Sequence, residues 1–148
     1  MVIGIFGESC VGKSAFANRL KERLDAKVYS GKDFLRLAKS EAAARLAFQE
    51  KLREAMAGPN IIYVMTEWEH LSLLPDGSVR ILMTADMETI KARFAQRMGG
   101  KLPAPVAGML ERKHGLFDNE SHDIHIMSGE TDMGAACEQV LRLIGNLH

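Results

Sequence analysis

The chain has 148 residues, with 19 basic and 19 acidic side chains, 47% hydrophobic and 26% charged content. These values fit one ordinary folded domain that can bury a core without help from disulfides or metals. The zero formal net charge excludes a protein that coats nucleic acid polymers, because that affinity is built from an excess of Lys and Arg. The two cysteines, Cys10 and Cys137, are too few for a disulfide framework.

In chain order, the opening run Val2–Phe6 reads as a strand. It stops at Gly7, too soon for a signal peptide, and no later stretch approaches the ~18 apolar residues of a membrane span. The expectation is a cytoplasmic protein with no membrane and no nucleic-acid partner. Phe16, Leu20 and Leu24 then recur at helical spacing, followed by a weak strand-like run, Lys27–Ser30. Phe48, Leu52, Ala55 and Met56 mark a second helix stopped by Gly58 and Pro59,. Ile61–Met65 and Val79–Met83 are almost continuously apolar, as central parallel strands covered on both faces should be,. Met87, Ile90, Phe94 and Met98 give a third helix, with Asp86 as N-cap and Gly99–Gly100 as terminator,. Asp123–Met127 is a fifth, weak strand run, and Val140, Leu143, Ile144 and Leu147 stripe the last helix. Strand-length runs alternating with helical segments predict an α/β domain with a parallel sheet over 1–148. One segment breaks the rhythm: 99–121, rich in Gly and Pro, reads as a mobile flap whose 106–114 part has helical character,.

The strongest chemical signal is Gly7-Glu8-Ser9-Cys10-Val11-Gly12-Lys13-Ser14, a complete G-x-x-x-x-G-K-[ST] motif. It lies between a strand-like run and a helix-like one, the setting a phosphate loop requires. Its glycines let successive N–H groups turn toward an anion, with the positive end of a helix dipole behind them. Gly7 to Ser14, with Ala15 at the helix start, are therefore the predicted phosphate-binding residues of a nucleotide site, a cradle that by itself does not distinguish a kinase from a GTPase, a motor ATPase or a switch protein. Lys13 would reach the β- and γ-phosphates, and Ser14 would ligate Mg²⁺.

With this loop at residue 7, a short chain and a late basic flap, the sequence resembles small P-loop kinases of the nucleoside and nucleotide kinase superfamily, including adenylate-, cytidylate-, shikimate- and gluconate-kinase-like enzymes. The resemblance implies a three-layer fold, a five-stranded parallel sheet ordered 2-3-1-4-5 with helices on both faces, and a lid at about 99–121. Three segments carry it beyond the loop. Ser30-Gly31-Lys32-Asp33-Phe34-Leu35-Arg36 is similar to the family's acceptor-side motif, which makes Asp33 a catalytic and acceptor-binding candidate and Arg36 an anion-binding one. Arg93 and Arg97, four apart on one helical face,, resemble the pair that opens the lid. That likeness implies contacts to nucleotide phosphates, stacking of Arg93 on adenine, and a catalytic part for Arg97. Arg112, in the flap beside Lys113, matches lid arginines that neutralise the transferring phosphoryl group.

The third strand departs from the pattern. It runs into Thr66-Glu67-Trp68-Glu69-His70, where such enzymes usually place a magnesium-associated Asp. Glu67 is the substitute metal-associated acid, and Glu67 and Trp68 are predicted to border the acceptor. His114, His122 and His125 with nearby acids have the composition of a metal site. A three-residue spacing on a strand sends His122 and His125 to opposite faces, which argues against structural zinc.

The predicted function is ATP-dependent transfer of the γ-phosphoryl group to a small-molecule acceptor, by a monomer or weak dimer. The alternative is a nucleotide-binding switch or accessory protein with weak or no transfer. A GTPase is disfavoured because the chain contains no N-K-x-D motif.

Overall fold

The computed structural model describes residues 1–146. Five strands form one all-parallel sheet: β1 (Val2–Phe6), β2 (Ala26–Ser30), β3 (Asn60–Met65), β4 (Val79–Thr84) and β5 (Ile124–Met127). Their order is β2-β3-β1-β4-β5, the order implied by the resemblance. Registers such as Val2 opposite Ile61, Ile5 opposite Ile81 and Ile81 opposite Ile124 align the C-terminal ends along one edge. Each strand lies within a residue of the run read from the sequence.

Period-two alternation divides the side chains between two cores. Ile3, Ile5, Ile62, Val64, Val79, Ile81, Met83, Ile124 and Ile126 face one. That core is covered by α1 (Lys13–Leu24), α3 (Met87–Arg97), α4 (Ala104–Lys113) and α5 (Met133–Asn146), through Phe16, Leu20, Ile90, Leu110 and Val140. Val2, Phe6, Ile61, Tyr63, Met65 and Leu82 face the other. There α2 (Glu41–Ala55) and two short 3-10 helices, η1 (Asp33–Leu37) and η2 (Trp68–Leu73), bring Phe34, Phe48, Leu52 and Leu71. The second core is aromatic, with Phe48 stacked on Phe34 at 5.5 Å and edge-on to Tyr63 at 4.8 Å between centroids. Leu147, assigned by periodicity to the last helix, lies outside the described residues.

Local capping follows the sequence. The Asp86 carboxylate accepts the Thr89 N–H at 2.7 Å and starts α3, as predicted,. Ser40 does the same for α2 through Ala43, a cap the sequence reading did not single out. The 99–121 segment differs most from expectation. It is a docked helix, α4, followed by a return over the second core, with Leu110 buried in the first core and Phe117 in the second. The physical reason is that its apolar residues, sparse as they are, reach a different core on each side of the turn at His114. Among the described residues, no helix is long and apolar enough to cross a membrane.

Candidate active site

The phosphate loop leaves β1 at the C-terminal edge of the sheet. A Cβ on Gly7 would stand 2.2 Å from the Met83 carbonyl oxygen, so the close approach of β4 admits only glycine there. Gly12 adopts φ 95° and caps α1 without a side chain. The first N–H groups of that helix are thereby left to an incoming anion rather than satisfied internally. Val11 is fully buried in the first core and anchors the middle of the loop. Cys10 is buried and holds φ 66°, a left-handed geometry uncommon outside glycine,.

Lys13 is 7% exposed. Its ammonium donates to the carbonyls of Gly7 at 2.8 Å and Glu8 at 2.5 Å, folding across the loop it would share with phosphate. Burial pulls its pKa down to about 8, and the neighbouring Arg97 charge acts in the same direction,.

Two cavities meet at the loop. One, of about 550 Å³, is lined by Ser9, Lys13, Ser14, Ser30, Gly31, Thr66 and Arg97, among others. The other, of about 540 Å³, is lined by Arg93, Gln96, Arg97, Ser128 and Met133. Cys10, Gly12, Ala15 and Arg97 border both, so they form one cleft with Arg97 at the junction. The first has the polarity a triphosphate and its metal need, and the second is more apolar and broad enough for a nucleoside.

The remaining predicted residues are dispersed. The Asp33 carboxylate, at the first position of η1, accepts the N–H of Ser30, which lines the more polar cavity, at 2.9 Å. Arg36 is exposed, and its Nε donates to the Asp33 carbonyl. Glu67 is exposed and precedes η2. Trp68 is 49% exposed and donates its indole N–H to Glu120 at 2.6 Å. Arg112 is exposed on α4 and lines neither cavity. Glu8 keeps its backbone in the loop, but its carboxylate turns away to accept from His114 Nδ1 at 3.1 Å and from the Gly115 N–H at 3.2 Å.

The structure also adds residues. Thr66, directly after β3, lines the phosphate cavity where an acid was sought at Glu67. Ser128, directly after β5, lines the broader cavity with Gln96 and Met133. The usable signal was positional, because ligands in open parallel sheets bind beyond the C-terminal ends of strands. His122 and His125 do not diverge as their spacing suggested. His122 precedes β5 rather than lying on it, and the two rings sit 5.8 Å apart, edge to face.

No protein-family model matches the chain, and no curated protein matches it by sequence. Solved structures do match in three dimensions. Shikimate kinase from Acinetobacter baumannii, in complex with shikimate, superposes with a TM-score of 0.66 at 14% identity, covering 98% of this chain and 93% of that one. A gluconokinase from Sinorhizobium meliloti gives 0.64 at 13%, over 99% and 94%. The tunicamycin resistance protein of Deinococcus radiodurans gives 0.68 at 20%, over 97% and 95%. With its strand order and loop placement, the chain has the fold of the small P-loop kinases.

Proposed function

We propose that this protein is a small-molecule kinase, using MgATP to phosphorylate a hydroxyl group on an acceptor. The observation that carries the reading is the double cavity over the phosphate loop, with Arg97 at its shared border and Lys13 lining the more polar part. Phosphoryl transfer asks the protein chiefly for positioning and charge stabilisation, and these residues supply both. The N–H groups from Gly7 to Ser14 hold the phosphates. Lys13 exchanges its two carbonyl partners for phosphate oxygens, which favour the charged form that burial opposes. Arg97, at the junction, neutralises charge that develops on the transferring group, while Arg93 borders the nucleoside side.

The donor set suits Mg²⁺, which favours a few oxygens plus water. The Ser14 and Thr66 hydroxyls line the cavity, and Asp33 and Glu67 stand at its rim as acids that would hold metal-bound water. When bound, the ion would shield the β- and γ-phosphate charge from the incoming hydroxyl. The acceptor is assigned to the side bounded by Asp33, Arg36, Glu67 and Trp68. Asp33 orients the hydroxyl and takes its proton, and Trp68 offers a face for a ring. The exposed Arg112 stays outside this scheme unless α4 moves over the cleft.

Calorimetry tests the first half: Mg²⁺-dependent ATP binding that Lys13→Ala weakens by about 30-fold or more is expected, and wild-type affinity in that variant would sink the assignment. Release of ADP above the basal rate, screened over nucleosides, nucleotides, sugar acids and cyclic polyols, tests transfer. A second reading, a nucleotide-binding switch or accessory protein, is favoured by one observation. Among the described residues, no carboxylate lines the phosphate cavity, Thr66 standing at the end of β3. Tight MgATP binding with no acceptor-stimulated ADP release would select it.

A further inference from the structure

Arg93 borders the nucleotide cavity, yet its guanidinium is already engaged with protein. One terminal nitrogen, Nη1, donates to the Cys10 carbonyl at 2.9 Å and to the Ser128 hydroxyl at 3.0 Å. The first partner lies in the phosphate loop. Cys10 is one of two non-glycine residues with positive φ among the described residues, so its peptide is held against its own preference. The second partner is buried and fixed, because the Ser128 N–H donates to the Thr84 carbonyl at 2.8 Å beyond the ends of β4 and β5. Arg93 thus spans from α3 to both loops that frame the cleft.

The peptide linking Cys10 to Val11 is a planar unit whose carbonyl and N–H point in opposite directions. Holding the carbonyl toward Arg93 aims the Val11 N–H away from it. From this we infer that Arg93 is a positioning residue for the phosphate loop: anchored on Ser128, it holds the Cys10 carbonyl so that the Val11 N–H faces the bound phosphate. The inference rests on the reading of this loop as a phosphate site. It differs from a stacking role on the nucleotide base, which would leave the loop indifferent to Arg93. A charge-assisted hydrogen bond of this kind also ties nucleoside-side geometry to phosphate-side affinity.

A base-free probe separates the possibilities. Inorganic tripolyphosphate and ATP, each with Mg²⁺, are titrated calorimetrically into the wild type, Arg93→Ala, Ser128→Ala and Lys13→Ala. Amide hydrogen exchange at Val11 and Gly12 is followed by NMR with no ligand present. Arg93→Ala should weaken tripolyphosphate and ATP by a similar factor, about tenfold or more. Ser128→Ala keeps the arginine charge and should lose a smaller part of both affinities, about threefold. In both variants Val11 exchange should accelerate in the ligand-free protein, while thermal melting shows that the fold persists.

If Arg93→Ala weakens ATP and leaves tripolyphosphate untouched, Arg93 contacts the base and the inference is overturned. Equal loss of both ligands with unchanged Val11 exchange would assign it a direct phosphate contact, overturning it as well. Failure of the phosphate-loop reading shows up separately, as tripolyphosphate binding that Lys13→Ala does not reduce. The exchange data then still report whether Arg93 orders the loop.

Discussion

The sides of the cleft proposed for the nucleotide and for the acceptor lie over opposite faces of the same five strands, and they are finished in opposite ways. Over α1, α3 and α5 the surface is open and cationic, with Lys13, Arg93 and Arg97 around two joined cavities. Over η1, η2 and the 114–120 return the surface is drawn together. Phe117 packs 5.7 Å from Phe6, Trp68 is bonded to Glu120, and Glu8 is bonded to His114 and Gly115. One half is an open cationic cleft, whereas the other is held by aromatic packing and contacts between side chains. On the proposed reading, nucleotide binding would need no rearrangement of the sheet edge, while an acceptor would enter beside the Trp68–Glu120 contact of the 114–120 return.

The comparison breaks most readily at Phe117. It is 2% exposed in the second core, and Phe117→Ala should cost about 3–5 kcal/mol of unfolding free energy. Chemical denaturation measures the loss, and ATP affinity just below the transition should stay near the wild-type value if the two halves are independent. A parallel loss of ATP affinity would show that they are coupled.

Next in size is Lys13→Met. Loss of the ammonium should weaken MgATP by about 2–3 kcal/mol, some 30- to 150-fold. The same change removes a buried charge whose pKa is depressed, so the ligand-free protein should melt higher, by about 1–3 kcal/mol of added stability. A variant that binds poorly and also melts lower would contradict the burial argument.

Proton linkage gives a finer test of the nucleotide half. With a folded pKa of about 8 against an ordinary 10.5, Lys13 binds fewer protons folded than unfolded between those values. Its burial penalty is therefore complete below pH 8 and is relieved as pH rises toward 10.5. Phosphate favours the charged form, so ATP binding should take up about half a proton near pH 8 and almost none at pH 6.5. Binding enthalpies compared between buffers of different ionisation heat would show this uptake, and proton release at pH 8 would refute it.

The smallest effect belongs to the other half. His70 is 3% exposed beside Phe34 and Tyr63, and its Nδ1 has no hydrogen-bond partner among the described residues. Burial holds its pKa below the ordinary imidazole value, against the raising influence of Glu67. The folded state then binds fewer protons than the unfolded one below about pH 6.5, and stability falls as pH drops through that window. Trp68, the only tryptophan, reports on the neighbouring turn. His70→Phe should flatten the acid slope of denaturation monitored by Trp68 fluorescence, and an unchanged slope would point to another group.

Much of the fold was legible because its signals are local. Strand runs such as Ile61–Met65 are covered on both faces and carry their own apolar pattern, and the cap at Asp86 and the phosphate loop are complete within a few residues. The site was legible only where its residues are contiguous. Thr66 and Ser128 escaped notice because a lone hydroxyl has no periodicity and gains meaning only from its place beyond a strand end. The helix within 99–121 was legible, but where the segment docks was not, because Gly and Pro dominate its composition while Leu110 and Phe117 decide the packing.

The sequence by itself determined the α/β class, the strand positions and the glycine-rich loop between β1 and α1, since each depends on interactions among near neighbours in the chain. Tertiary structure alone decided that Arg93 reaches Cys10 and Ser128, that Glu8 turns from the cleft toward His114, and that Phe117 fills the second core against Phe6. Those contacts join residues separated by 35 to 111 positions. Which partner each side chain meets is set by the packing of helices on the sheet, a global outcome that no local pattern encodes.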